Sequence, residues 1–303
     1  MEGKLLYNPG SFGTNVTLMN PLNIPKDLSL INRKNHGHTN NDGVPLVYHV
    51  KCTVYSPSYA GDADRRDVIR FLAVPQNWVY RNAAVKLHNA RENMFRKNGI
   101  TKKERGRYSK TIRYQWDQAE TWQVPLQPDT RAAYGAGELG TWDTTDLILS
   151  SGATVDANLW QREAVSLTDE DSTLGEVPLA VGYLTSRQVI REDNQDSDTI
   201  PAKQSMIVDL FDMGSSGDNA AIRDLAQGEQ DNPPYDADAL QGTFYNPCEV
   251  GRVVLSQGTA TMTEIYMDIP FGIAGITAQS QNGATTTDLE FAIEVLGVSE
   301  MQG

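Results

Sequence analysis

Between Leu46 and Val54 apolar and polar side chains alternate: Leu46, Tyr48, Val50, Cys52 and Val54 fall on one side of an extended chain, His49, Lys51 and Thr53 on the other. A period of two marks a half-buried antiparallel strand, and it stops at the turn-rich SPSYAGDAD over 56–64. DVIRFLAVP over 67–75 is more continuously apolar, as expected of a central strand. Further strands are predicted at AETWQVPL (119–126), WDTTDLIL (142–149), LWQREAVSL (159–167), EVPLAVGYL (176–184), SMIVDLF (205–211), GRVVLSQGT (251–259), TMTEIYMDIP (261–270) and TDLEFAIEVLGV (287–298). In the last, Leu289, Phe291, Ile293 and Val295 face one way, and Glu290 and Glu294 the other. Long Gly/Asp/Asn/Pro/Ser-rich connections join them, such as RAAYGAGELGT, REDNQDSDTIP and QGEQDNPPYDADALQG, with one short helix predicted at DNAAIRDLAQG (218–228). Many strands without β-α-β alternation give an antiparallel sandwich or barrel. The absence of a clear linker favours one continuous core, with two tandem β domains, about 1–150 and 151–303, as the alternative.

One segment follows a different period. After Asn77, a suitable N-cap, Tyr80, Ala83, Ala84, Leu87, Ala90, Met94 and Phe95 recur at three- and four-residue spacing. They predict a helix whose apolar stripe needs a core, with Asn82, Asn89 and Asn93 opposite and Lys86 and Lys97 on the flanks. Arg91 projects into the stripe and must snorkel or find a carboxylate. Gly99 followed by Ile100 reads as a left-handed stop, and Thr101 with Glu104 as a capping box opening a short turn. Beyond it Tyr108, Ile112, Tyr114 and Trp116 alternate with Ser109, Thr111, Arg113 and Gln115, predicting a strand that Lys110 interrupts.

Charge sharpens this picture. The 303 residues carry a formal charge of −13, yet residues 65–113 hold 14 of the 26 Lys and Arg with only three acids. Their local balance is +11, that of residues 114–303 is −24, and residues 1–64 are neutral overall. Such separation creates a positive field able to attract a polyanion or a neighbour's acidic face. No run of about 18 apolar residues is present to cross a membrane, and no secretory signal is visible at the start, so synthesis in the cytosol is expected. Cys52 and Cys248 lack metal or redox spacing, and Cys52 reads as a buried thiol on a strand.

Catalytic signatures do not emerge. There is no nucleotide-binding glycine motif, and GSFGTN (10–15) reads as a turn. His36 and His38 lie in the polar NRKNHGHTNNDG, read as an exposed loop without a third metal ligand. His49, on the polar face of its strand, and His88, on the flank of the helix, have no triad-like context and no nucleophile elbow. Asp169, Glu170 and Asp171, and Asp193, Asp196 and Asp198, lack the order of a calcium loop and read as solvated, interface calcium being the one ion they would suit. The expectation is therefore no enzyme, no metal site and no cofactor. Trp122, Trp142 and Trp160 would serve either as core or as platforms of a surface carbohydrate-binding sandwich, the alternative function.

Two stretches carry a resemblance: the basic NWVYRNAAVKLHNARENMFRKNGITKKERGRYSKTIR (77–113), inserted after a strand, and TEIYMDIPFGIAGI (263–276), followed by a closing strand. In these and in its β-rich plan with long polar loops the chain resembles the jelly-roll major capsid proteins of small non-enveloped icosahedral viruses. The resemblance implies an all-β antiparallel jelly-roll sandwich over 1–303, with long loops and a helical insertion at about 77–107. A compact double jelly-roll, as in membrane-containing bacterial viruses, is the alternative. It implies a virion coat subunit whose partners are many copies of itself, with non-specific contact to packaged nucleic acid and no membrane insertion. Arg81, Lys86, Arg96, Lys97, Lys102, Lys103, Arg105, Arg107, Lys110 and Arg113 are then the residues facing nucleic acid or a neighbouring subunit. The neutral first 64 residues depart from the arginine-rich arm with which many such proteins begin.

Overall fold

The computed structural model describes residues 3–13, 20–56, 66–106, 108–116, 142–148, 154–159, 176–180, 182–183, 246–256, 261–280 and 286–302. All of them belong to one unit of the chain, 1–183 with 244–303; the other, 184–243, lies outside the described residues. In chain order the elements are β1 (Lys4–Gly13), β2 (Asn20–Asn23), α1 (Ile24–Asn32), β3 (Leu46–Ser56), β4 (Arg66–Ala73), α2 (Trp78–Lys97), β5 (Asp146–Ile148), β6 (Thr154–Asn158), β7 (Glu176–Pro178), β8 (Cys248–Ser256), β9 (Thr261–Pro270), β10 (Ile273–Ser280) and β11 (Thr286–Glu300).

Alternation along the strands becomes a two-layer core. One sheet runs β1-β11-β3-β9, the other β2-β10-β4-β8, and every pairing within both is antiparallel. From the first sheet Leu5, Tyr7, Tyr48, Val50, Cys52, Val54, Met267, Ile269, Leu289, Phe291 and Ile293 meet Leu22, Ile69, Phe71, Ala73, Val253, Leu255, Ala274, Ile276 and Ala278 from the second. Burial of these faces is the main stabilising term of such a fold. Burial also pushes the Cys52 thiol up to about 12, so this cysteine is inert packing. A third, short sheet runs β5-β6-β7, its β6–β7 pairing parallel. The described residues thus form an all-β sandwich bearing two helices.

The chain changes sheets between β9 and β10 through two residues, Phe271 and Gly272, with positive φ of 56° and 67°. A side chain at Gly272 would run into Pro25 and Tyr48. Phe271 has no such freedom, and the left-handed region costs an L-residue about 1–2 kcal/mol. Packing offsets that cost: its ring centroid lies 6.2 Å from Tyr80 and 5.3 Å from Tyr114. Its carbonyl meets His38 Nδ1 at 2.7 Å, and its N–H donates to the Leu46 carbonyl at 2.7 Å. His38 is therefore buried and built into the core, which corrects its reading as part of an exposed loop. Desolvation lowers its pKa to about 4 and keeps the ring neutral.

Tyr80 belongs to α2, so the same corner anchors the helix. Asn77 caps it, its side chain accepting from the Tyr80 N–H at 3.1 Å. Val79, Tyr80, Ala83, Ala84, His88 and Arg91 are buried, whereas Leu87, Met94 and Phe95 are half-buried and Ala90 is exposed. The buried stripe is rotated from the expected one, and His88 is inside it. The helix stops as anticipated: Gly99 has φ 73°, and Ile100 N–H donates to the Phe95 carbonyl at 3.0 Å. The Thr101 N–H then donates to Glu104 Oε2 at 2.7 Å, closing the capping turn.

Two other readings change. GSFG at 10–13 is part of β1, not a turn. The segment 108–116 is not a strand: it makes one isolated bridge, Gln115 with Asn158, and although Ile112, Tyr114 and Trp116 are buried, Tyr108 is 59% exposed. Of the strand predicted at 176–184 only Glu176–Pro178 is extended among the described residues, and 119–126, 160–167, 205–211 and the helix at 218–228, with Trp122, Arg107 and both acidic clusters, lie outside them.

Candidate functional site

The ten cations singled out from the sequence divide by their surroundings. Three have become structural. Arg81 Nε donates to the Met301 carbonyl at 3.2 Å. Arg105 pairs with Glu92 and lies 4.4 Å over the Phe95 ring. Arg113 lies 4.5 Å over Trp142 and donates to the Asp143 carbonyl at 3.4 Å. Lys86 sits 5.6 Å over the Tyr183 ring. Arg91 anchors the underside of this layer: only 8% exposed, it donates to the Ser109 carbonyl at 2.6 Å and lies 4.9 Å over Phe95. It neither snorkels to solvent nor pairs with a carboxylate, the two outcomes expected: its partner is a backbone carbonyl, and burial draws its pKa down, opposed by Glu92.

What remains is a ridge. Arg96 and Lys97 close the last turn of α2, where a cation is favoured by the helix dipole, and Lys102, Lys103 and Lys110 follow in the next turns, all exposed. Arg96 donates to the Asn93 side chain at 2.9 Å, and among the described residues Lys97, Lys102, Lys103 and Lys110 have no carboxylate partner. Beneath Lys102 and Lys110 is a groove of about 430 Å³ also lined by Asp42, Glu92, Asn89 and the buried His88, so the ridge top is cationic and its floor mixed. Burial lowers the His88 pKa and favours its neutral form there.

A second cluster lies on the outer face of the first sheet. His49 Nδ1 is 2.6 Å from Asp268 Oδ1, and its Nε2 is 2.8 Å from Ser299 Oγ. The sequence reading found no triad-like context for His49 because the partners lie 219 and 250 residues away. Trp142 is packed against Arg113 and His38, the latter with ring centroids 5.9 Å apart, so it is not a free platform for a sugar. Among the described residues no three His, Cys, Asp or Glu gather as metal ligands, and no helix is long and apolar enough to cross a membrane. Comparison of the chain with family models, with curated proteins and with solved structures finds no match.

Proposed function

We propose that this chain is a jelly-roll coat subunit that assembles with many copies of itself into an icosahedral shell, a virion capsid enclosing nucleic acid. The observation that carries the reading is the nesting of strand pairs. Of the eight sandwich strands the first pairs with the last, β2 with β10, β3 with β9 and β4 with β8. A chain folded back on itself and then rolled produces that order, the two Greek keys of a jelly roll. Each sheet draws strands from before residue 74 and after residue 247, which supports one roll over two tandem ones. Shell closure requires surface patches that recognise one another on identical copies. The ridge of Lys97, Lys102, Lys103 and Lys110, without a carboxylate partner among the described residues, supplies a charge for packaged phosphate, with sequence-independent and salt-sensitive binding. The surface-lectin alternative is weakened by the packing of Trp142.

Electron microscopy of the purified protein tests assembly: closed particles are expected, and a monomer at every pH and salt concentration tried would refute it. Replacing Lys97, Lys102, Lys103 and Lys110 together by Gln should leave the subunit folded and reduce nucleic acid per particle severalfold. Particles with unchanged cargo would remove the ridge from this role.

A further inference from the structure

We propose that Ser299, His49 and Asp268 form a nucleophilic site on the outer face of the first sheet, which accepts the acyl group of a small ester. The site is independent of the assembly reading. The three residues come from adjacent strands, β11, β3 and β9, and share one face. His49 is directly opposite Asp268 on one side and Gly297 on the other. The imidazole lies across Gly297, its Cδ2 at 3.9 Å from where a Cβ would be, and reaches Ser299 two residues on.

The distances set the protons. An ionised carboxylate only accepts, so the 2.6 Å contact holds hydrogen on Nδ1 of the neutral ring. That leaves the Nε2 lone pair for the Ser299 hydroxyl at 2.8 Å, the arrangement in which a serine is activated by a general base oriented by a third group. The His49 and Asp268 side chains are 40% and 58% exposed, so a substrate and then water can reach them. Beside them is a groove of about 500 Å³ with an apolar wall of Tyr266, Val250 and Leu296, and Gln76 also lines it. His49 and Asp268 line this groove, and it is the place for the short aliphatic or aryl acyl group of the ester.

In the reaction, Ser299 Oγ bonds to the carbonyl carbon while its proton passes to His49 Nε2. The ester C–O bond breaks, and the alkoxide leaves with that proton. Water, deprotonated by the same nitrogen, releases the acid and restores Ser299. Ser299 and His49 are the catalytic residues, and Asp268 is a positioning residue.

The test is labelling of the whole protein with an alkyl fluorophosphonate, read by peptide mass spectrometry, alongside hydrolysis of p-nitrophenyl acetate. One adduct per chain on Ser299 is expected. Labelling should slow at least about tenfold in His49→Ala and in Asp268→Asn, with recovery in Asp268→Glu, and general-base assistance of this type is typically worth 10²–10⁴-fold. Ser299→Ala should abolish both the adduct and the ester hydrolysis above background. Side chains that merely lace three strands together would give no adduct on Ser299 in the unmodified protein. That result, or equal labelling in a His49→Ala variant with an unchanged circular dichroism spectrum, overturns the proposal.

Discussion

Asp27 offers a direct test of how this core is held. It lies in the first turn of α1, 2% exposed, and accepts a hydrogen bond from the Tyr7 hydroxyl through Oδ2 at 2.6 Å. Burial pushes its pKa up to about 7, against the opposing Tyr7 hydrogen bond and Lys26. Burial likewise holds the Tyr7 hydroxyl well above its ordinary value, so Tyr7 stays the donor. In the unfolded chain the Asp27 carboxyl titrates near its ordinary value of about 3.9. Between roughly pH 4 and 7 the unfolded chain has therefore lost this proton while the folded chain keeps it. The stabilisation is fully present below about pH 4, falls as pH rises, and levels off above the folded value. Across roughly three pH units at about 1.4 kcal/mol each, the loss is on the order of 4 kcal/mol. Asp27→Asn removes the titration and still accepts from Tyr7, though its new N–H group costs about 1 kcal/mol if unpaired. The variant should be slightly less stable than the native chain at pH 4.5 and about 2–3 kcal/mol more stable at pH 8. Urea midpoints followed by tryptophan fluorescence across that range give the difference, which isolates Asp27 from every other titrating group. A difference that stays constant with pH, or with the native chain gaining on the variant as pH rises, would refute the reasoning and show a buried carboxylate stabilised by Tyr7.

Gly43 has φ 82°, and an added Cβ would run into the His88 side chain, so Gly43→Ala should cost roughly 2–4 kcal/mol from backbone strain and overpacking together. A change in melting temperature below 2 °C would place α2 elsewhere. Leu87 is half-buried, so Leu87→Ala should cost about 1–2 kcal/mol, below the 2–5 of a fully buried leucine. Tyr80→Ala, at a fully buried ring against Phe271, should cost about 3–5 kcal/mol by the same denaturation assay, and equal losses at the two positions would contradict the observed helix orientation.

Legibility in the sequence followed local pattern strength. β3, β9 and β11 alternate cleanly and were readable, as was the length of α2 from its cap to Gly99. β10 was not: Ile273 to Ala278 are buried on both faces, so its sequence IAGITAQS has no polar side to alternate with. The ladder of β1 shifts register between Tyr7 and Gly10, which disrupts its period, and β2 is four residues long. The basic segment was visible as composition, but which cations are free was not. Arg105 and Arg113 found Phe95 and Trp142, and Arg91 a carbonyl, through contacts that depend on the fold. His49, Asp268 and Ser299 are joined only by strand order, which residue periodicity does not encode.

The nested pairing also fixes where the long connection between the two halves of the sandwich is attached. Ala73 and Cys248 are cross-strand partners, so the connection over 74–247 leaves and re-enters the core at adjacent positions. The entropy of closing such a loop grows only with the logarithm of its length, about 2.5 kcal/mol more than for a connection of about ten residues. One well-buried core side chain offsets that. The ridge lies inside this connection, whereas the residues that build the two-sheet core all lie outside it. Charge on the ridge can therefore be changed with little effect on folding, and the lysine substitutions proposed above should read out partner binding with the core intact.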